Sequence, residues 1–62
     1  MMEKIGEGLK AIKGDNCIAI RSTVDERLYV NIYSNLIEIC DDWITPKRWL
    51  AIAAFIEKEG KG

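Results

Sequence analysis

Two cysteines, one adjacent pair of aspartates and no histidine bound the chemistry open to this chain. Without histidine it lacks the commonest general base and the imidazole metal ligand. Cys17 and Cys40 stand far apart in sequence, whereas a structural zinc site takes four ligands in close pairs. A thiol becomes a nucleophile when a base or cation lowers its pKa. Both cysteines have small or apolar neighbours, so packing is their expected role and a thiol-dependent activity the weakest alternative. Asp41-Asp42 reads as a polar strand end ahead of a helix, since a hard-cation site needs further oxygen ligands. No lysine–hydroxyl pair follows Gly6, Gly8 or Gly14 to complete a phosphate loop. The expectation is a non-enzymatic protein with no catalytic, cofactor-binding or metal-binding residues.

Sixty-two residues make one small domain, 1–62. A chain of this size buries only roughly 60% of its unfolded surface, and small domains often compensate by oligomerising. Hydrophobic residues make up 48% of it, ample for a core. Nine basic and ten acidic residues leave a formal charge of −1. That balance gives no general attraction to nucleic acid or anionic lipid. The first residues lack the charged start and apolar run of a secretory signal. The longest apolar run, 49–56, falls far short of the roughly 18 residues of a membrane span. These features point to a cytoplasmic, reducing setting with free thiols, a disulfide being the lesser alternative.

The elements that would position any site follow from periodicity. Residues 17–40 alternate as strands do and are rich in β-branched and aromatic residues. Ser34-Asn35 suits a two-residue hairpin loop, because asparagine tolerates positive φ. That register sets Ile32 opposite Ile37 and Val30 opposite Ile39, with apolar side chains on one face. A three-residue loop, Asp25-Glu26-Arg27, pairs Val24 with Leu28 and Ile20 with Ile32. Thr45 can cap a helix whose first residue is Pro46, giving a helix over 46–59 with Gly60 as its stop. Lys47 and Arg48 fall in the first turn, where the dipole disfavours cations, a sign that they serve something else. Segment 1–14 reads either as a helix, from the spacing of Ile5, Leu9 and Ile12, or as a strand over 9–13 joined through Gly14-Asp15.

The fold class is therefore α+β: a three- or four-stranded antiparallel meander packed against a C-terminal helix. The expected core is Ile18, Ile20, Val24, Leu28, Val30, Ile32, Ile37 and Ile39 from the sheet, with Trp49, Ile52, Ala53 and Ile56 from the helix. A helix apolar all round wants burial on more than one side. Its second face, Leu50, Ala51, Ala54 and Phe55, is expected to meet another subunit or segment 1–14. Trp43 at the strand–helix junction reads first as a packing residue, with that interface as its main alternative. The outer sheet face would carry Arg21, Tyr29, Asn31 and Tyr33. Arginine and tyrosine are enriched at the energetic centres of protein interfaces, and tyrosines can stack on unpaired bases.

The tail from Ile37 to Ile56, with Ile44-Thr45-Pro46, Trp49 and the helix to Ile56, resembles the end of the positive-cofactor-four single-stranded-DNA-binding family. The likeness covers about a third of the chain. It implies helix-mediated dimerisation and, if the first segment is a strand, a ββββα order. That family carries a lysine- and arginine-rich sheet, whereas this sheet offers chiefly Arg21 and Arg27. The functional expectation is a homodimeric protein-interaction module, an inhibitor or adaptor of a protein target. Its size and lack of catalytic groups suit an accessory protein of a phage or mobile element. Single-stranded nucleic-acid binding by the outer sheet face is the alternative, disfavoured by charge, and no membrane is expected.

Overall fold

The structure, a computed structural model, describes residues 1–61. It is an α+β fold: a five-stranded antiparallel meander in the order β1-β2-β3-β4-β5, followed by one helix. The strands are β1 (Met2–Gly6), β2 (Leu9–Lys13), β3 (Ile18–Ser22), β4 (Leu28–Ile32) and β5 (Ile37–Ile39), and the helix is α1 (Pro46–Lys61).

Segment 1–14 folds as two strands, so the strand alternative holds for 9–13 and β1 is an addition. Gly6, Glu7 and Gly8 have φ of 94°, 54° and 73°, values that no right-handed helix contains. Positive φ at both Glu7 and Gly8 is what a two-residue type I′ hairpin loop requires. The loop sets Lys4 opposite Lys10 and Glu3 opposite Ala11. Glu3 faces the helix yet keeps its charge paired, because Lys58 Nζ lies 2.5 Å from its carboxylate.

Between β3 and β4 the register shifts. Ile20 pairs with Val30, but Arg21 pairs with Leu28, leaving Tyr29 as an extra residue in a β-bulge. Tyr29 and Val30 are both buried, at 6% and 0% exposure. The bulge thus exchanges the expected faces: Tyr29 turns under the helix and Leu28 lies opposite Arg21 on the outer side. The loop also differs from expectation. Ser22 N–H donates to the Arg27 carbonyl at 2.9 Å, closing a four-residue loop over 23–26. Ser22 is buried, and its hydroxyl accepts from Val24 N–H at 3.1 Å. Val24 therefore sits in the loop, 88% exposed, instead of in the core. The β4–β5 hairpin is as expected, with Ile32 opposite Ile37 and Val30 opposite Ile39.

Helix α1 begins at its expected cap. Thr45 Oγ1 accepts from Arg48 N–H at 3.3 Å, and Pro46 takes the first helical position. Gly60 lies within the helix and does not stop it. The core consists of Leu9, Ala11, Ile20, Tyr29, Val30, Ile52 and Phe55, with Ile5, Ile18, Ile32, Ile44, Ala51 and Ile56 packed around it. The buried helix face is thus centred on Arg48, Ile52 and Phe55. At 100° per residue it is rotated by about 80° from the expected Trp49-Ile52-Ala53-Ile56 stripe. Trp49 is 41% exposed and Ala53 is exposed.

Arg48 sets that rotation. Its Nε donates to the Glu7 carbonyl at 3.2 Å and its Nη1 to the Tyr29 hydroxyl at 2.9 Å. Its guanidinium carbon also lies 5.5 Å from the Tyr29 ring centroid, within cation–π range. One side chain thus ties the first helical turn to the first hairpin loop and to the bulge. Removing it strands a buried hydroxyl and a loop carbonyl. Arg48→Ala is expected to cost about 2–3 kcal/mol in urea unfolding, while Lys47→Ala, at an exposed neighbour, stays within about 0.5 kcal/mol. Equal effects of the two substitutions would remove this role from Arg48.

Candidate interaction surfaces

The residues expected at an interface divide into two groups. Phe55 is 4% exposed and belongs to the core; Ala51 is half-buried against it. Both lie on the side of α1 that meets β1, lining a shallow notch with Glu3, Ile5, Ala54 and Lys58. The first strand therefore covers part of the face that was expected to seek a partner. Leu50 at 66%, Trp43 at 82% and the exposed Ala54 remain at the surface.

Apart from Met1, Met2, Val24 and Tyr33, the exposed large apolar residues cluster in one part of the chain. Leu36, Ile37, Ile39, Trp43, Trp49 and Leu50 all fall within the short span from the β4–β5 turn to the first turns of α1. Ile37 and Ile39 point to the helix side of the sheet, since Glu38 between them bonds Asn31 on the other side. They stay exposed because α1 lies along β1, leaving β5 without a cover. The helix flank opposite β1 carries Trp49, Ala53 and Ile56. Sequence reasoning placed Trp49, Ile37 and Ile39 in the core. The signal it missed was that a single helix, about 10 Å across, cannot roof five strands spaced roughly 4.8 Å apart.

The segment joining β5 to α1 is fixed by Asp41. Its carboxylate is buried and accepts from Arg27 Nη2 at 2.8 Å and from Trp43 N–H at 3.5 Å. Of the two aspartates, Asp41 thus holds the connection in place and Trp43 is displayed just beyond it. Among the described residues no group of three or more histidine, cysteine or acidic side chains is placed to hold a metal ion.

On the outer face the structure brings together Arg21, Asn31 and Tyr33 but not Tyr29. Asn31 Nδ2 donates to Glu38 Oε1 at 3.0 Å and lies 3.7 Å from Cys40 Sγ. The charge of Glu38, followed by Cys17, pushes the Tyr33 hydroxyl above its ordinary pKa. Desolvation and then Glu38 push the Cys40 thiol up, which disfavours the reactive thiolate. Cys17 precedes β3 and Cys40 follows β5, with β4 between those strands. Two strand spacings come to about 9.5 Å, beyond the reach of a disulfide; both thiols are free. The outer face also carries a row that sequence reasoning missed. Lys4 lies opposite Lys10, and Lys10 opposite Arg21. Recognising the Glu7-Gly8 loop would have revealed the first of these pairs.

No family model, curated protein or solved structure matches the chain. No helix in the described residues is long and apolar enough to cross a membrane.

Two carboxylates give the surface a defined pH response. The Lys58 ammonium beside Glu3 holds that carboxyl below its ordinary 4.5. The Arg27 backbone amide, then the Ser22 hydroxyl, hold Asp25 below 3.8. A carboxyl depressed by folding stabilises fully above its unfolded pKa and loses that contribution as pH falls through the folded value. Glu3 raises the pKa of Lys58 in turn, so the same pair weakens as strong alkali removes that proton. In urea unfolding, Glu3→Gln is expected to show a smaller loss of stability than wild type between about pH 6 and pH 3. An equal loss would assign the acid sensitivity elsewhere.

Proposed function

We propose that this chain is a small protein-interaction module, non-enzymatic, that works as a homodimer and acts as an inhibitor or adaptor of a partner protein. The observation that carries the reading is the apolar surface of α1 and β5. Between Lys47 and Glu57 the helix has no charged residue at the surface except Arg48, which is engaged inward. Ala53 and Ala54 allow a second helix to approach closely, and Trp49 and Leu50 flank them with large side chains. The exposed side chains of Ile37, Ile39, Trp43, Trp49 and Leu50 present on the order of 600 Å² of largely apolar surface. That is at the top of the range for a monomer's largest patch, roughly 300–600 Å², and near the roughly 800 Å² each partner buries in a standard interface. A two-fold contact uses one patch twice, which suits a chain with one such surface.

The dimer surface so defined comprises Trp49, Leu50, Ala53 and Ala54, bordered by Ile37, Ile39 and Trp43. Phe55 and Ala51 support it from beneath. Light scattering at about 100 μM, where a micromolar dimer predominates, is expected to give twice the chain mass. The double variant Trp49→Glu/Leu50→Glu should be a folded monomer by circular dichroism. Phe55→Ala should instead lower stability by about 3–5 kcal/mol. A wild-type monomer at that concentration, or a double variant that still dimerises, overturns the assignment.

A further inference from the structure

The row Lys4–Lys10–Arg21 crosses three adjacent strands on the outer face. Directly opposed like charges destabilise a sheet, so such a row needs a counter-ion. Among the described residues one carboxylate is seen to meet it. Glu26, in the β3–β4 loop, reaches over the row: its carboxylate pairs with Lys10 Nζ, and its backbone carbonyl accepts from Arg21 Nη1 at 2.8 Å. Glu26, the last residue of that loop, has φ of 62°, a conformation that side-chain-bearing residues rarely take outside turns. Lys4, at the end of the row, is exposed and has no ion-pair or hydrogen-bond partner among the described residues.

Glu26 shows what the row accepts. One residue offers a carboxylate to a lysine and a main-chain carbonyl to an arginine, which is the chemistry of an acidic residue in a polypeptide. We propose that this row is the docking site for an acidic segment of the partner protein, and that Glu26 occupies it as an internal stand-in until the segment arrives. The proposal rests on the partner-binding reading above and adds the partner's chemistry. Lys4 gives the incoming segment a first carboxylate contact without displacing anything. Release of Glu26 then frees Lys10 and Arg21 for a second acidic residue. A tethered competitor of this kind lowers the apparent affinity without abolishing it. Nucleic acid fits the same charges less well, because Tyr29, the tyrosine nearest the row, is turned under the helix and holds Arg48.

Fluorescence anisotropy with a labelled hexaglutamate peptide, at low and moderate salt, tests this. Wild type is expected to bind weakly and to release the peptide as salt rises. Glu26→Gln should bind about fivefold tighter, the order of effect of removing one exposed competing charge. Lys4→Glu in the Glu26→Gln background should reverse that gain, and Lys4→Gln should do so in part. No binding to either wild type or Glu26→Gln, or a gain indifferent to Lys4, overturns the proposal. An oligothymidylate of equal charge that binds more tightly, with the same dependence on Lys4, overturns the peptide assignment in favour of nucleic acid. Circular dichroism confirms folding, and light scattering on the same variants is expected to leave the dimer intact. Loss of peptide binding with the dimer retained therefore fails this site alone, whereas a monomer that still binds peptide fails the dimer alone.

Discussion

The single extra residue at Tyr29 is the constraint on which the rest of this structure depends. A bulge of one residue exchanges the faces of every position on one side of it, because side chains in a strand alternate with a period of two. It turns a tyrosine towards the helix and a leucine away from it. A tyrosine under a helix brings a hydroxyl into a largely apolar layer, and a buried hydroxyl without a partner is costly. Arg48 meets it, and in doing so fixes the helix's rotation and its seat on the β1–β2 loop. Buried polar atoms among the described side chains are all hydrogen-bonded. The bulge, the guanidinium and the glycine-flanked loop thus act as one unit, and helix phase follows from it.

Helix phase decides which apolar residues become surface. With Arg48, Ile52 and Phe55 inward, the large ring of Phe55 fills the core where the small Ala53 would have left space. Trp49 and Leu50 are turned outward as a result. The helix lies along β1, so the far edge of the sheet is uncovered and β5 is exposed at every residue. Both consequences put apolar side chains into water on the same part of the chain. A sheet of five strands under one helix has more inner face than roof.

Much of this was legible in the sequence. The Ser34-Asn35 hairpin and its register could be read because loop type and hydrophobic alternation agreed. The Thr45-Pro46 cap was equally plain, since both residues have strong positional meaning. The bulge was not legible, because Tyr29 and Leu28 are both acceptable on an inner face and nothing in the local pattern separates them. The first hairpin was obscured by Glu7, which carries no sign of its positive φ, and by Ile5, Leu9 and Ile12, whose spacing fits a helix by coincidence. The helix stripe was misplaced by less than one residue of phase, because eight consecutive apolar residues contain no polar marker. Arg48 held that marker, and its position in a turn unfavourable to cations was the available clue. Of the candidate surfaces, Leu50 lies in water on the second helix face, Trp43 is exposed where packing was the first reading, and Lys4 and Lys10 became visible only once the strands were paired.

The tie between Arg48 and the Glu7 carbonyl spans most of the chain, and it gives synthesis a particular order. The meander is complete before any residue of α1 has been made, yet its inner face has no cover until that helix arrives. Chains are extended at roughly 5–20 residues per second, so the sixteen residues of α1 take on the order of a second or more. During that interval Leu9, Ala11, Ile20 and Val30 face solvent on a sheet with two open edges. The meander is at its stickiest before α1 is made, and the arrival of the helix is what closes the fold.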